Sequence, residues 1–268
     1  MALSLDVLHQ LPPLSPQAVA LLESLDESAG AHDVVILVER DPGLSVRVLR
    51  IANSAFYGLP GKVGSIREAV LLLGMSTIRS IALASVMSSV FSHSSAGILE
   101  LRKYWRDSFL VALYAQALAQ KWGADESMAF TAGLLHDIGL IVLELTNSLM
   151  LQAVFRCVQE NALSVLEAEK AVLGIQHYEI GADLLASWHL PAPIVQAVWL
   201  QAMDEQVKEN LLASAVNLAK TIVSAKEECA PEEVAARIAF KCRALGVDAD
   251  RLAADLSKWS KFDAMVLY

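Results

Sequence analysis

Thr131-Ala132-Gly133-Leu134-Leu135-His136-Asp137-Ile138-Gly139-Leu140-Ile141-Val142-Leu143-Glu144-Leu145 decides how the chain is read. Leu134, Leu135, Ile138, Ile141 and Val142 recur at helical spacing, so the stretch is predicted to be one helix with an apolar face. His136 and Asp137 then sit on or beside that face. An imidazole and a carboxylate are both good ligands for divalent metals, and neighbouring ones can share an ion while activating its bound water. The alternative is a histidine and an aspartate satisfied by hydrogen bonds inside a helical core, where buried polar groups need partners. Two ligands do not make a hydrolytic centre, so partners must come from other helices.

Helix punctuation recurs on both sides of this stretch. Asp41-Pro42 puts a capping carboxylate before a proline at the first helical position, with Leu44, Val48, Leu49, Ile51 and Ala52 behind it, and that helix should end near Asn53-Ser54. Ser65-Ile66-Arg67-Glu68 forms a capping box before Ala69 to Leu73, with Gly74 as the stop and Ser76 starting a helix toward Phe91. Ser164-Val165-Leu166-Glu167 repeats the box, with Gly174 ending that helix before His177. Pro191 and Pro193 open one more, and Pro231-Glu232-Glu233 another toward Cys242. No alternating apolar runs joined by an Asn-Gly or Asp-Gly turn support strands. The fold class is therefore all-α: an N-terminal helical lobe, 1–92, packed on a longer helical bundle, 98–268. The small polar run Ser92-His93-Ser94-Ser95-Ala96-Gly97 serves as a short link between them.

Composition narrows the function classes. The 268 residues are 55% hydrophobic and only 19% charged, with a mean hydropathy of +0.45, which points to a compact core rather than a disordered chain. Gly74 and Glu144 interrupt the apolar runs Ala69–Met75 and Ile138–Leu145, so no membrane span is expected. A net charge of −9 argues against a nucleic-acid partner, because phosphate contacts require a basic face. Met1-Ala2-Leu3-Ser4-Leu5-Asp6 has no cationic region followed by an apolar segment, so a cytoplasmic location is expected. Cys157, Cys229 and Cys242 are odd in number and unpaired in spacing, which fits reduced thiols. Trp105, Trp122, Trp188 and Trp199 are expected in packing; Trp259 is the better candidate for exposure and for a docking surface, with packing back onto the bundle the expected outcome.

Several motifs together resemble a known family. Trp105 to Ala112, Leu118-Ala119 and Ala132 to Gly139 resemble the HD superfamily of metal-dependent phosphohydrolases. Leu11-Pro12-Pro13-Leu14-Ser15-Pro16, Asp41-Pro42-Gly43-Leu44, Leu49 to Tyr57 and Ser65 to Gly74 are similar to the HDOD domain, the HD-related output domain of bacterial signalling proteins. The resemblance spans most of residues 8–200 and implies an all-α bacterial signalling module.

It also implies a metal-ligand set that this chain fills only in part. His136 and Asp137 match the central pair. The upstream histidine falls at Asp107, and the downstream aspartate falls at Asn217, whose amide oxygen is a weaker, neutral donor. Leu140 stands where the cyclic-dinucleotide phosphodiesterase branch would have a lysine. Trp199-Leu200 stand where it would have a double histidine, and its Gly-Tyr-Pro motif is not present. His177 resembles an additional ligand of that branch. The vestigial metal candidates are therefore His136, Asp137, His177 and Asp107. The expected function is a non-catalytic signal-transduction output or scaffold module, working through contact with a signalling partner, with no resident cofactor beyond a residual divalent metal. The alternatives are a metal-dependent phosphohydrolase acting on nucleotides or cyclic dinucleotides, and a small-molecule sensor without catalysis.

Overall fold

A computed structural model describes residues 11, 31–40, 42–53, 63–75, 77–78, 81–82, 97–203, 206–259 and 262–263. Every regular element among them is helical. In chain order these are α1 (Ala31–Glu39), α2 (Pro42–Ala52), α3 (Ile66–Leu73), α4 (Leu101–Trp122), α5 (Glu126–Leu135), α6 (Ile138–Thr146) and α7 (Ser148–Asn161). They are followed by α8 (Val165–Val172), α9 (His177–Ser187), α10 (Ala192–Leu200), a 3₁₀ turn (Val207–Glu209), α11 (Leu211–Glu228), α12 (Pro231–Leu245) and α13 (Ala249–Trp259). The Asp41 cap, most of the helix expected from Ser76 toward Phe91 and most of the Ser92–Gly97 link lie outside the described residues; of that helix Thr77, Ile78, Ile81 and Ala82 are described, and they are helical and buried.

Local signals set most boundaries. Ser164 Oγ accepts from Glu167 N while the Glu167 carboxylate accepts from Ser164 N at 2.8 Å, closing the box that starts α8. At α3 the box is displaced by one residue: Ser65 Oγ accepts from Glu68 N, but Glu68 reaches Gly64 N instead of Ser65 N. Asn53 ends α2 by donating to Leu49 O and Val63 O and accepting from Val63 N, which pins the chain as it returns toward α3. Val34, Val38, Leu44, Val48, Ile66 and Ala69, from α1, α2 and α3, are buried in the same core cluster as the helices that follow.

The larger bundle is built around α4, whose most extensive packing is against α5 and α11. Small residues line this interface: Ala112, Ala115 and Ala119 on α4, Ala129 and Ala132 on α5, Ala215 and Ala219 on α11, all buried. A Cβ on Gly133 would stand 2.8 Å from Ala112 Cα, so only glycine allows α4 and α5 this close. Behind α11, α13 packs back onto α4. Tyr114, fully buried, accepts from Lys226 Nζ and donates to Asp263, and its ring meets Phe262 edge-on at 4.9 Å. Trp259 stacks on Phe262 and is buried, packed back onto the bundle as expected in preference to a docking surface. Trp199, expected in packing, is instead 45% exposed.

Two further expectations change. The continuous helix Thr131–Leu145 is two helices: α5 stops at Leu135, His136 and Asp137 form a turn, and α6 begins at Ile138. Leu140 N bonds to Asp137 O, and the freed carbonyl of His136 accepts instead from Gln201 Nε2, so a side chain of another segment compensates the break. Taken across that break, Glu126–Thr146 is long and apolar enough by composition to cross a membrane, which the shorter runs read from the sequence did not suggest. Of that window, however, 78% is buried inside the protein. Glu144 does not interrupt the core. It is buried and accepts from Ile98 N and Leu99 N, anchoring the segment that leads into α4.

Candidate functional site

The turn between α5 and α6 faces the start of α9 at very close range. A Cβ on Gly139 would fall 1.9 Å from His177 O and 3.0 Å from Gly181 N, so a glycine at 139 lets the α9 backbone lie against α6. That approach brings His177 to Asp137. Gly133 matters a second time, because its carbonyl accepts from His136 Nδ1 at 2.7 Å and fixes the ring with Nε2 toward Asp137.

Asp137 is the hub. Its Oδ2 lies 3.2 Å from His136 Nε2, and its Oδ1 lies 3.1 Å from His177 Nε2 and 2.7 Å from Lys220 Nζ on α11. His177 is held from its other side by Glu169 of α8, a fully buried carboxylate that accepts from both His177 Nδ1, at 2.8 Å, and His177 N, at 3.0 Å. Burial pushes the Asp137 carboxyl upward, but His136, Lys220 and His177 together overcome it and hold the group well below the usual carboxylate range. Burial alone would lower His177. Glu169 and Asp137 outweigh it and raise the imidazole to about 9, so at neutral pH it is an imidazolium donating from both nitrogens. Burial, together with the Asp137 charge, pushes the Tyr104 hydroxyl on α4 well up, although the Ser108 hydroxyl one turn along acts the other way.

Of the four residues expected to form a metal site, His136, Asp137 and His177 come together. Asp107 is engaged elsewhere: its carboxylate takes Lys103 Nζ and the Arg106 guanidinium, both at 2.7 Å, and those two cations also reach Glu227. Asn217 turns from Asp137 and donates to the backbone carbonyl of Gln201. Trp199 and Leu200 line a groove of about 800 Å³ between α9 and α10, with Ala186, His189, Val195 and Met203 also on its wall.

A divalent ion fits the second layer of this site but not the first. Imidazoles backed by a carboxylate and by a backbone carbonyl are oriented as metal ligands usually are. Here, however, the side chains face one another: Asp137 already has an imidazolium and an ammonium on a single oxygen. Among the described residues no group of three or more His, Cys, Asp or Glu is arranged to hold a metal ion. As it stands, the donor set does not fit one.

Glu169 and Lys220 escaped the sequence reading, and both had left a signal. Glu169 lies four residues before the buried Leu173, on the same helical face. Lys220 lies four after Val216 and three before Val223, both buried. A charge placed in an apolar stripe indicates a partner inside.

Comparison with known proteins bears on the same region. A family model described as the HDOD domain matches residues 11–203. The solved structure of a Shewanella amazonensis SB2B protein, whose name supposes a phosphohydrolase, is 28% identical, with a TM-score of 0.82, covering 98% of this chain and 96% of that one. An HDOD domain protein of unknown function from Geobacter sulfurreducens shares the fold, with a TM-score of 0.78 at 23% identity, covering 98% of this chain and 96% of its own. An uncharacterised Treponema pallidum protein is 24% identical over 196 residues, 72% of this chain, and this chain spans 37% of that relative's length.

Proposed function

This chain belongs to the HDOD domain family, and from that premise we propose that it is a signal-transduction output module that works through protein–protein contact and not through hydrolysis. One observation carries the reading. Asp137, the residue on which phosphohydrolase chemistry would depend, has its charge taken up by His177 and Lys220, with His136 against its other oxygen. Phosphoryl chemistry draws on positive charge aimed at the developing oxyanion. Here the positive charge is aimed inward, at Asp137. The cluster ties the α5–α6 turn to α9 and α11, and so acts as a structural clasp within the bundle.

The proposal extends to a cytoplasmic module of two lobes, residues 1–92 and 98–268, whose partner is another signalling protein. The net charge of −9 favours a protein partner over nucleic acid. The second reading, a phosphohydrolase, is favoured by the name of the 28% identical Shewanella structure. A single assay separates the two: incubation with bis-p-nitrophenyl phosphate and with a cyclic dinucleotide in the presence of manganese or magnesium. The expected result is no product above that given by Asp137→Asn. Turnover by the wild type that disappears in Asp137→Asn would overturn the proposal.

A further inference from the structure

The site described above contains a contradiction that one residue resolves. The outer layer of a metal centre is in place: Gly133 O fixes His136, and the buried Glu169 fixes His177, with both Nε2 atoms turned to Asp137. Carboxylate and carbonyl supports of this kind commonly set the tautomer and direction of ligating imidazoles. Nothing in simple helix packing calls for two histidines to be aimed at one carboxylate with such support. Lys220 Nζ then makes the shortest contact of the Asp137 carboxylate, 2.7 Å, on the oxygen that His177 also uses.

We infer that Lys220 is the protein's own replacement for a divalent cation: its ammonium neutralises Asp137 and keeps metal ions out of a pocket whose other side chains are posed to take one. Two properties of the lysine fit this role. It reaches Asp137 from α11, one turn beyond Asn217, so the cation is covalently tethered and present whatever the ionic conditions. Its side chain is 37% exposed, so it occupies the open side of a cluster in which His136, His177 and Glu169 are all buried. A divalent ion approaching Asp137 must displace this ammonium or sit within a few ångströms of it. At an effective dielectric near 20, repulsion between charges at such separations weakens binding by about a hundredfold or more.

The inference deepens the proposed function and rests on it, because a site filled by its own lysine is a clasp. The test is titration of Lys220→Met with Mn²⁺ and Zn²⁺ by calorimetry and by thermal melting; methionine keeps an unbranched stem of similar reach without the charge. The wild type is expected to show no stoichiometric binding up to about 1 mM metal. Lys220→Met should take up close to one equivalent, with a melting temperature roughly 5–10 °C higher at a hundredfold excess of metal over its Kd. The additional change Asp137→Asn should abolish both effects, and Lys220→Arg, which keeps the charge, should remain metal-free. Lys220→Gln, whose amide can still donate to Asp137, serves if the methionine variant does not fold. Stoichiometric metal on the wild type, or neutral variants that bind no better than the wild type, would overturn the role of Lys220. Hydrolysis by the wild type in the phosphodiester assay would instead overturn the functional reading, so the two failures are distinct.

Discussion

Replacing Gly139 with alanine tests whether a backbone approach holds the site together. The added Cβ would meet His177 O at 1.9 Å, where ordinary van der Waals contact begins near 3.4 Å, and both neighbours are backbone with no rotamer to yield. The α6 and α9 backbones must therefore part by about 1.5 Å. That movement stretches the 3.1 Å contact of His177 with Asp137 beyond hydrogen-bond range. Overpacking costs about 1–3 kcal/mol and breaking a buried ionic contact about 3–5 kcal/mol. The two overlap, so a net loss of roughly 3–5 kcal/mol is expected. Helix propensity acts in the opposite direction, because glycine to alanine in an exposed helix gains up to about 1 kcal/mol. Urea denaturation measures the difference, and NMR titration of His177 supplies an independent reading. Its midpoint should fall from about 9 toward the ordinary histidine value of 6.5 as Asp137 withdraws. A variant as stable as the wild type, with His177 titrating unchanged, would refute the argument that this glycine positions the site.

Stability should also depend on pH from both sides. The raised pKa of His177 adds stability that is fully present below about 6.5 and is lost as pH rises through about 9, amounting to roughly 3 kcal/mol. The depressed pKa of Asp137 adds stability that is present above its unfolded value of 3.8 and is lost as pH falls through the folded one. The denaturation midpoint should therefore peak between about pH 4 and 6.5, and the alkaline slope should vanish in a Glu169→Gln/His177→Gln double variant. Asp107→Ala, which touches only a partly exposed ion-pair network, should change stability by no more than about 1 kcal/mol and leave the His177 titration unmoved. Glu144→Ala removes the acceptor for Ile98 N and Leu99 N and should cost about 1–3 kcal/mol, with faster hydrogen exchange at those two amides.

Helix beginnings and ends were legible in the sequence wherever a side chain interacts with its own backbone. Ser164 with Glu167, Pro191 before α10 and Pro231 at the head of α12 act within one turn, so their effect can be read locally. The break at His136-Asp137 was not legible. It depends on Gln201, 65 residues away in sequence, supplying a donor to the freed carbonyl. His136, Asp137 and His177 were found as a group because their residue types carry chemistry in themselves. The family resemblance implies Asp107 as a further ligand, but Lys103 and Arg106, neighbours on its own helix, hold it elsewhere. Glu169 and Lys220 look like ordinary surface charges until the apolar residues one turn away are seen to be buried.

The position of Lys220 in the chain has a consequence for how relatives are compared. The family match ends at residue 203, before α11 begins, yet the cation on Asp137 comes from α11. Two proteins could therefore agree residue for residue across the matched segment and still differ in whether a metal ion enters. On the inference drawn from Lys220, comparing members of this family for metal binding begins with the helix that follows the matched segment, by asking what stands where Lys220 stands here.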